Sequence, residues 1–126
     1  MQITRLDHVN LRTEQLEVMI DWYVDVLGLD NGARPDFGFP GAWLYAGDVA
    51  VVHLVGVSQD AGVGSETALK LEHFALRATD AAGFEARLRD RGVAFQKSGI
   101  DELSLVAFNI WDPDGNHIHV DFTDAA

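Results

Sequence analysis

The chain has 126 residues, 48% hydrophobic and 23% charged, with no cysteine and with 20 acidic against 9 basic side chains. That is the size of one globular domain, which buries roughly two-thirds of the surface its unfolded form exposes and needs no disulfide staples. The formal charge of −11 argues against nucleic acid or an anionic membrane as partner, since both present phosphates, and the missing thiols leave histidine and carboxylate as the ligands for any metal.

From Met1 to His8 there is no apolar stretch of the secretory kind, and no apolar run is long enough to span a bilayer, so a cytoplasmic protein is expected. Leu6-Asp-His-Val-Asn-Leu-Arg12 then opens a strand. Thr13 suits the N-cap of a helix with Glu14 and Glu17 in its first turn, Leu16, Ile20, Tyr23, Val24 and Leu27 at helical spacing, and Gly28 to end it. Phe37-Gly-Phe-Pro-Gly41 reads as a flap. Ala42–Tyr45 and Val49–Val55 are rich in strand formers. The small, polar stretch 58–68 reads as a linker. After it, Leu71-Glu-His-Phe-Ala-Leu-Arg77 repeats the opening at an offset of 65, with Leu, His, Leu and Arg identical and an acid over an acid. Asp80 caps a second helix carrying Phe84 and Leu88, with Arg87, Arg89 and Arg91 toward its end and Gly92 as its stop. Strands over Leu103–Ile110 and His117–Phe122 follow, joined by the turn Asp112-Pro-Asp-Gly-Asn116, so each half reads strand, helix, then about three strands. The whole is one domain, 1–126, with a first module over about 1–57 and a second over about 69–126.

Four of the five histidines occupy repeat-related places: His8 with His73, and His53 with His119. Residues two apart on a strand share a side. Val9, Leu11, Val52, Leu54, Phe74, Leu76, Ile118, Val120 and Phe122 then form the face that the helices cover, and the four histidines take the opposite face. An approximate two-fold between the halves lets these imidazoles converge, a donor set that suits zinc, nickel, copper, cobalt or iron better than magnesium or calcium. His117 shares this parity but lies against the turn and is expected to be an exposed hairpin residue. Asp121 is a candidate partner of an imidazole or a solvated carboxylate. Phe37, Phe39, Trp43 and Tyr45 are dense enough for an aromatic pocket wall, with Trp111 beside the last turn, although ordinary packing explains them equally well. Asn10, Arg12 and Arg77 share the histidine face and either orient polar substrate atoms or pair with the surplus acids.

Leu-Asp-His-Val, Ala-Val-Val-His-Leu, Leu-Glu-His-Phe-Ala-Leu and Trp-Asp-Pro-Asp-Gly-Asn-His-Ile-His-Val together resemble the vicinal oxygen chelate superfamily of glyoxalase I, fosfomycin and bleomycin resistance proteins, methylmalonyl-CoA epimerase and extradiol dioxygenases. The resemblance covers almost the whole chain. It implies an α+β fold of two βαβββ modules, a curled mixed sheet around a metal or ligand cavity with helices on the outer face, and commonly a homodimer.

It also implies a divalent transition metal, zinc, nickel, iron, cobalt or manganese, held by His8, His73 and His119 with His53 at the fourth glyoxalase position. The metal would act as a Lewis acid on two neighbouring oxygens of a small substrate. This chain departs from the pattern at two places, with His119 where the motif usually carries a ligand Glu and His53 where glyoxalases carry theirs. That removes the glyoxalase I base and the carboxylate of the extradiol iron site; Asp121 or His117 is then the candidate for a catalytic base. The expected function is a metal-dependent glyoxalase-like isomerase or lyase. A ring-cleaving dioxygenase of extradiol type, a metal-free binding or resistance protein, and a half-enzyme needing a partner chain are the alternatives.

Overall fold

Alternating burial along short β-branched runs and two ten-residue helices divide the chain into two units, Met1–Ser65 and Glu66–Ala126. The computed structural model describes residues 1–58 and 71–123, so the linker expected over 58–68 lies, beyond Ser58, outside the described residues. The first module contains β1 (Val9–Thr13), α1 (Leu16–Asp25), β2 (Asp30–Gly32), β3 (Gly41–Ala46) and β4 (Val49–Gly56). The second contains β5 (Phe74–Arg77), α2 (Ala81–Asp90), β6 (Gln96–Ile100), β7 (Leu105–Trp111) and β8 (His117–Phe122), with a 3-10 turn at Asp101–Leu103.

Each module is a four-stranded mixed sheet of the same order, β1-β4-β3-β2 and β5-β8-β7-β6, in which the first and last strands pair in parallel and the others antiparallel. Both βαβββ modules of the α+β expectation are present. β2 and β6, the two strands that the sequence left unplaced, are exposed throughout and polar but for Ile100, and they close the outer edges of their sheets.

The core lies between each sheet and its helix. Leu44, Val52 and Leu54 of the first sheet are fully buried with Met19 and Tyr23 of α1. In the second, Phe84 of α2 meets Phe108 edge-on at 5.5 Å and Phe122 at 5.7 Å, beside the fully buried Leu88. Burying one such side chain contributes about 1.5–3 kcal/mol.

Three local expectations change. Thr13 does not cap α1: it ends β1, fully buried, and its Oγ1 accepts from Gln15 N at 3.0 Å, so the hydroxyl closes the strand-to-helix corner while Gln15 takes the cap position. The buried stripe of α1 runs through Met19, Ile20 and Tyr23 and continues to Val26, and Val24 is exposed. A strand from Leu103 is impossible because Ser104 turns left-handed at φ 51°, which delays β7 to Leu105. Gly28 and Gly92 end the helices as expected, at φ 70° and 66°. Val93 N–H to Leu88 O and Gly92 N–H to Arg89 O complete a Schellman cap on α2.

Candidate functional site

Parallel pairing of first with last strand sets the candidate site. In the first module Val9 pairs with Val52 and Asn10 with His53, which turns His8, just before β1, onto the face of His53. The two rings stack at 3.8 Å between centroids and 7° between planes. In the second module Phe74 pairs with Ile118 and Ala75 with His119, and His73, just before β5, stacks on His119 at the same 3.8 Å and 7°. The repeat seen in sequence is thus a repeat of geometry.

An acid precedes the first histidine of each pair and holds its ring. Asp7 Oδ2 bonds His8 Nδ1 at 2.7 Å, and Glu72 Oε2 makes a short bond to His73 Nδ1. Each carboxylate is thereby stabilised in its charged form, and its pKa lies below the usual value; for Glu72 the bonds from His73 and then His117 are the main cause. Holding Nδ1 leaves Nε2 of the same ring available, the arrangement by which carboxylates orient metal-binding imidazoles. Burial, followed by the neighbouring His8 ring, pulls the pKa of His53 below 6.5; burial, then His73 and His117, does the same to His119. Rings that resist protonation keep a lone pair for a metal. Imidazole donors and supporting carboxylates therefore fit a divalent transition metal.

His117 corrects the sequence reading. Its side chain is only 17% exposed. The Asp112 carboxylate accepts from Asp114 N, Asn116 N and Asn116 Nδ2, which tightens the turn enough that β8 begins at His117, paired with Trp111. His117 Nδ1 then lies 2.9 Å from Glu72 Oε1 and Nε2 lies 3.0 Å from Asn109 Oδ1, with the Trp111 indole stacked on the ring at 4.8 Å and 8°. The ligand atoms of His73, His117 and His119 lie within 4.8 Å of one another. Asp121, two residues on, opposes this lowering at His119 without reversing it, and its Oδ1 is buried with no hydrogen-bond partner among the described residues. Glu72, Asp7 and Asn109 were missed as site residues. The acid over an acid in the repeat was the visible signal for Asp7 and Glu72, and Asn109 had none.

The aromatic residues fall in two places. Phe37 stacks on Phe39 at 5.5 Å and approaches Trp43 at 6.1 Å, and Trp43 stacks on His53 at 4.3 Å. With Asn10 and Arg34 they line a pocket of about 150 Å³. The Arg34 guanidinium stands 5.0 Å from both phenyl centroids and donates to Phe39 O, bracing the Phe37–Gly41 segment. Tyr45 does not line that pocket; its hydroxyl donates to Ala33 O. Trp111 belongs to the second module and covers His117.

Comparison with known proteins agrees with this architecture. "Glyoxylase I 4" of Arabidopsis thaliana is 24% identical over 125 residues, covering 95% of this chain and 71% of its own. A glyoxalase family protein structure from Bacillus anthracis superposes with a TM-score of 0.76 at 22% identity over 96% of each chain. A lactoylglutathione lyase from Agrobacterium tumefaciens does so at 0.69 and 17%, over 97% of this chain and 96% of that one. With the Glyoxalase/Bleomycin resistance protein/Dioxygenase superfamily model matching residues 5–120, the chain belongs to that superfamily.

Proposed function

We propose that this protein is a metal-dependent enzyme of isomerase or lyase type acting on a small molecule with two adjacent oxygens, with His8, His53, His73 and His119 as ligands. The observation that carries the reading is the pair of repeat-related imidazole stacks, each 3.8 Å and 7°, each backed by an acid on Nδ1 of its first ring. A bound zinc, nickel, iron, cobalt or manganese ion would supply Lewis acidity toward negative charge developing on the substrate oxygens. The protein groups do the rest. Asp7 and Glu72 orient the rings, Phe37, Phe39 and Trp43 offer an apolar wall, and the half-buried Asp121, whose Oδ1 has no hydrogen-bond partner among the described residues, is the candidate to take or return a proton. We further propose a cytoplasmic homodimer; among the described residues no helix is long and apolar enough to cross a membrane.

One observation favours a second reading. The Phe37, Phe39 and Trp43 pocket suits a flat apolar ligand and would serve a metal-free binding protein. An extradiol dioxygenase has less support, because that chemistry uses two imidazoles and a carboxylate, and the four positions here are all histidine.

Elemental analysis of protein purified without chelator, beside the His119→Ala variant, tests the proposal. We expect close to one transition metal per chain in the native protein and its loss in the variant. Turnover of 2-oxo aldehydes, thiol adducts or catechols would then disappear with chelator. Protein that is folded, metal-free and indifferent to added zinc or nickel overturns the reading, and equal ligand binding with and without chelator points to the binding protein.

A further inference from the structure

We propose that the substrate is a monocyclic aromatic carboxylate, its ring taken by the pocket of Phe37, Phe39 and Trp43 and its carboxylate read by Arg34. The inference rests on the reading above only in taking this pocket as the place where substrate binds, and it names the substrate class that the reading leaves open.

The pocket wall is built by a short segment. Asp36 Oδ1 accepts from Gly38 N at 3.1 Å, and Gly38 turns left-handed at φ 78°, a region that glycine enters without a Cβ penalty. That turn lays Phe37 and Phe39 face to face at 5.5 Å and 15°. Both rings are 47% exposed. Large rings left in water beside a pocket are what a bound apolar group covers. The volume, about 150 Å³, is that of a cavity able to admit one benzene ring. It falls below the roughly 300 Å³ at which sites for drug-sized ligands begin, so a peptide-sized thiol adduct does not fit inside it.

Charge selects the second half of the ligand. The chain carries −11 overall, yet no acid lines this pocket, and Arg34 supplies its positive charge. The guanidinium is held in place. It stands 5.0 Å from both phenyl centroids, donates Nη2–H to Phe39 O at 3.2 Å, and lies against Gly41, where a Cβ would come within 2.6 Å of Nη2. Among the described residues no carboxylate pairs with it. One N–H is engaged and the rest of the planar fork is left for an anion, which a carboxylate matches with two parallel bonds. His53 lines the same pocket, so one molecule can present oxygens to the imidazole and its carboxylate to the guanidinium.

The test uses the full-length protein stripped of metal, titrated by calorimetry with benzoate, with its neutral analogue benzamide, and with acetate, which has the charge without the ring. Benzoate should bind more than about tenfold tighter than either, the margin that hydrogen bonds between charged partners allow. Arg34→Gln should bring benzoate to within about twofold of benzamide, and Arg34→Lys, which keeps the charge but not the fork, should retain part of the preference. The ratio of the two affinities separates charge recognition from bracing of the Phe37–Gly41 segment, because a loosened segment weakens both probes alike. In the native protein, nuclear Overhauser contacts should run from the benzoate ring protons to the Trp43 indole, a reading that needs no variant.

Benzoate that does not bind, that binds no tighter than benzamide, or that keeps its advantage in Arg34→Gln overturns the proposal. None of these outcomes touches the metal-dependent reading, since the titration is made without metal. A protein that fails to take up zinc removes that reading and still returns the benzoate ratio.

Discussion

A histidine is useful to a metal only when it is unprotonated and correctly turned, and each stack addresses both needs with different neighbours. The acid before the first ring sets orientation; burial and the adjacent ring lower the proton affinity of the second. This has a consequence for stability. His53 and His119 have folded-state pKa values below 6.5, so between those values and about 6.5 the unfolded chain binds more protons than the folded one. Their contribution is fully present above about 6.5 and is lost as pH falls through the folded-state values. Asp7, Glu72 and Glu85 also have lowered pKa values, but their contributions fade only below the ordinary carboxylate range near 4.5. Metal-free protein should therefore show a lower urea midpoint at about pH 5.5 than at about pH 7.5, and His53→Asn should flatten part of that slope. A midpoint constant across this interval means that neither ring is held neutral by the fold.

At the scale of the element, what the sequence made legible depended on whether the signal was local. Asp80 could be named as the cap of α2 because the rule needs only one side chain and the turn after it, and its carboxylate accepts from Gly83 N at 3.0 Å. Thr13 looked equally suitable for α1, yet strand pairing extends β1 to that residue, and tertiary burial outweighs the local preference. β2 and β6 carry no apolar alternation, since each is an exposed edge strand, so no periodicity could reveal them. His117 was misplaced for a related reason: its environment depends on how tightly Asp112 closes the turn and on Glu72, 45 residues away. The Asp80 cap is also unusual in being left-handed, at φ 69°. Asp80→Ala removes the acceptor and places a non-glycine, non-Asx residue in that region, which should cost about 2–3 kcal/mol in urea denaturation. Asp80→Asn, which keeps the acceptor and tolerates the backbone, should cost under about 1 kcal/mol. Equal losses in the two variants would show that the side-chain charge matters more than the cap.

For the whole molecule the duplication is the organising fact. Two modules of identical strand order carry stacked histidine pairs of identical geometry, and four identities in seven residues were enough to align them. The face carrying the histidines was legible because strand parity is strict. The added imidazole in the second module was not, because it breaks the repeat. A metal held only by the folded chain makes a distinct thermal prediction. A ligand bound only by the folded state adds RT ln(1 + [L]/Kd), about 2.7 kcal/mol at a hundredfold excess over Kd, which for a domain of this size corresponds to a rise of several degrees in Tm. Zinc should produce that rise in stripped protein and a chelator should reverse it. Because the proposed ligands are drawn from both units of the chain, single variants also report which histidines hold the ion. With ligands proposed in both modules, His8→Ala and His73→Ala should each diminish that increment. An increment absent in the native protein would leave the aromatic pocket of the first module as the feature to pursue, through ligands that shift Tm without metal.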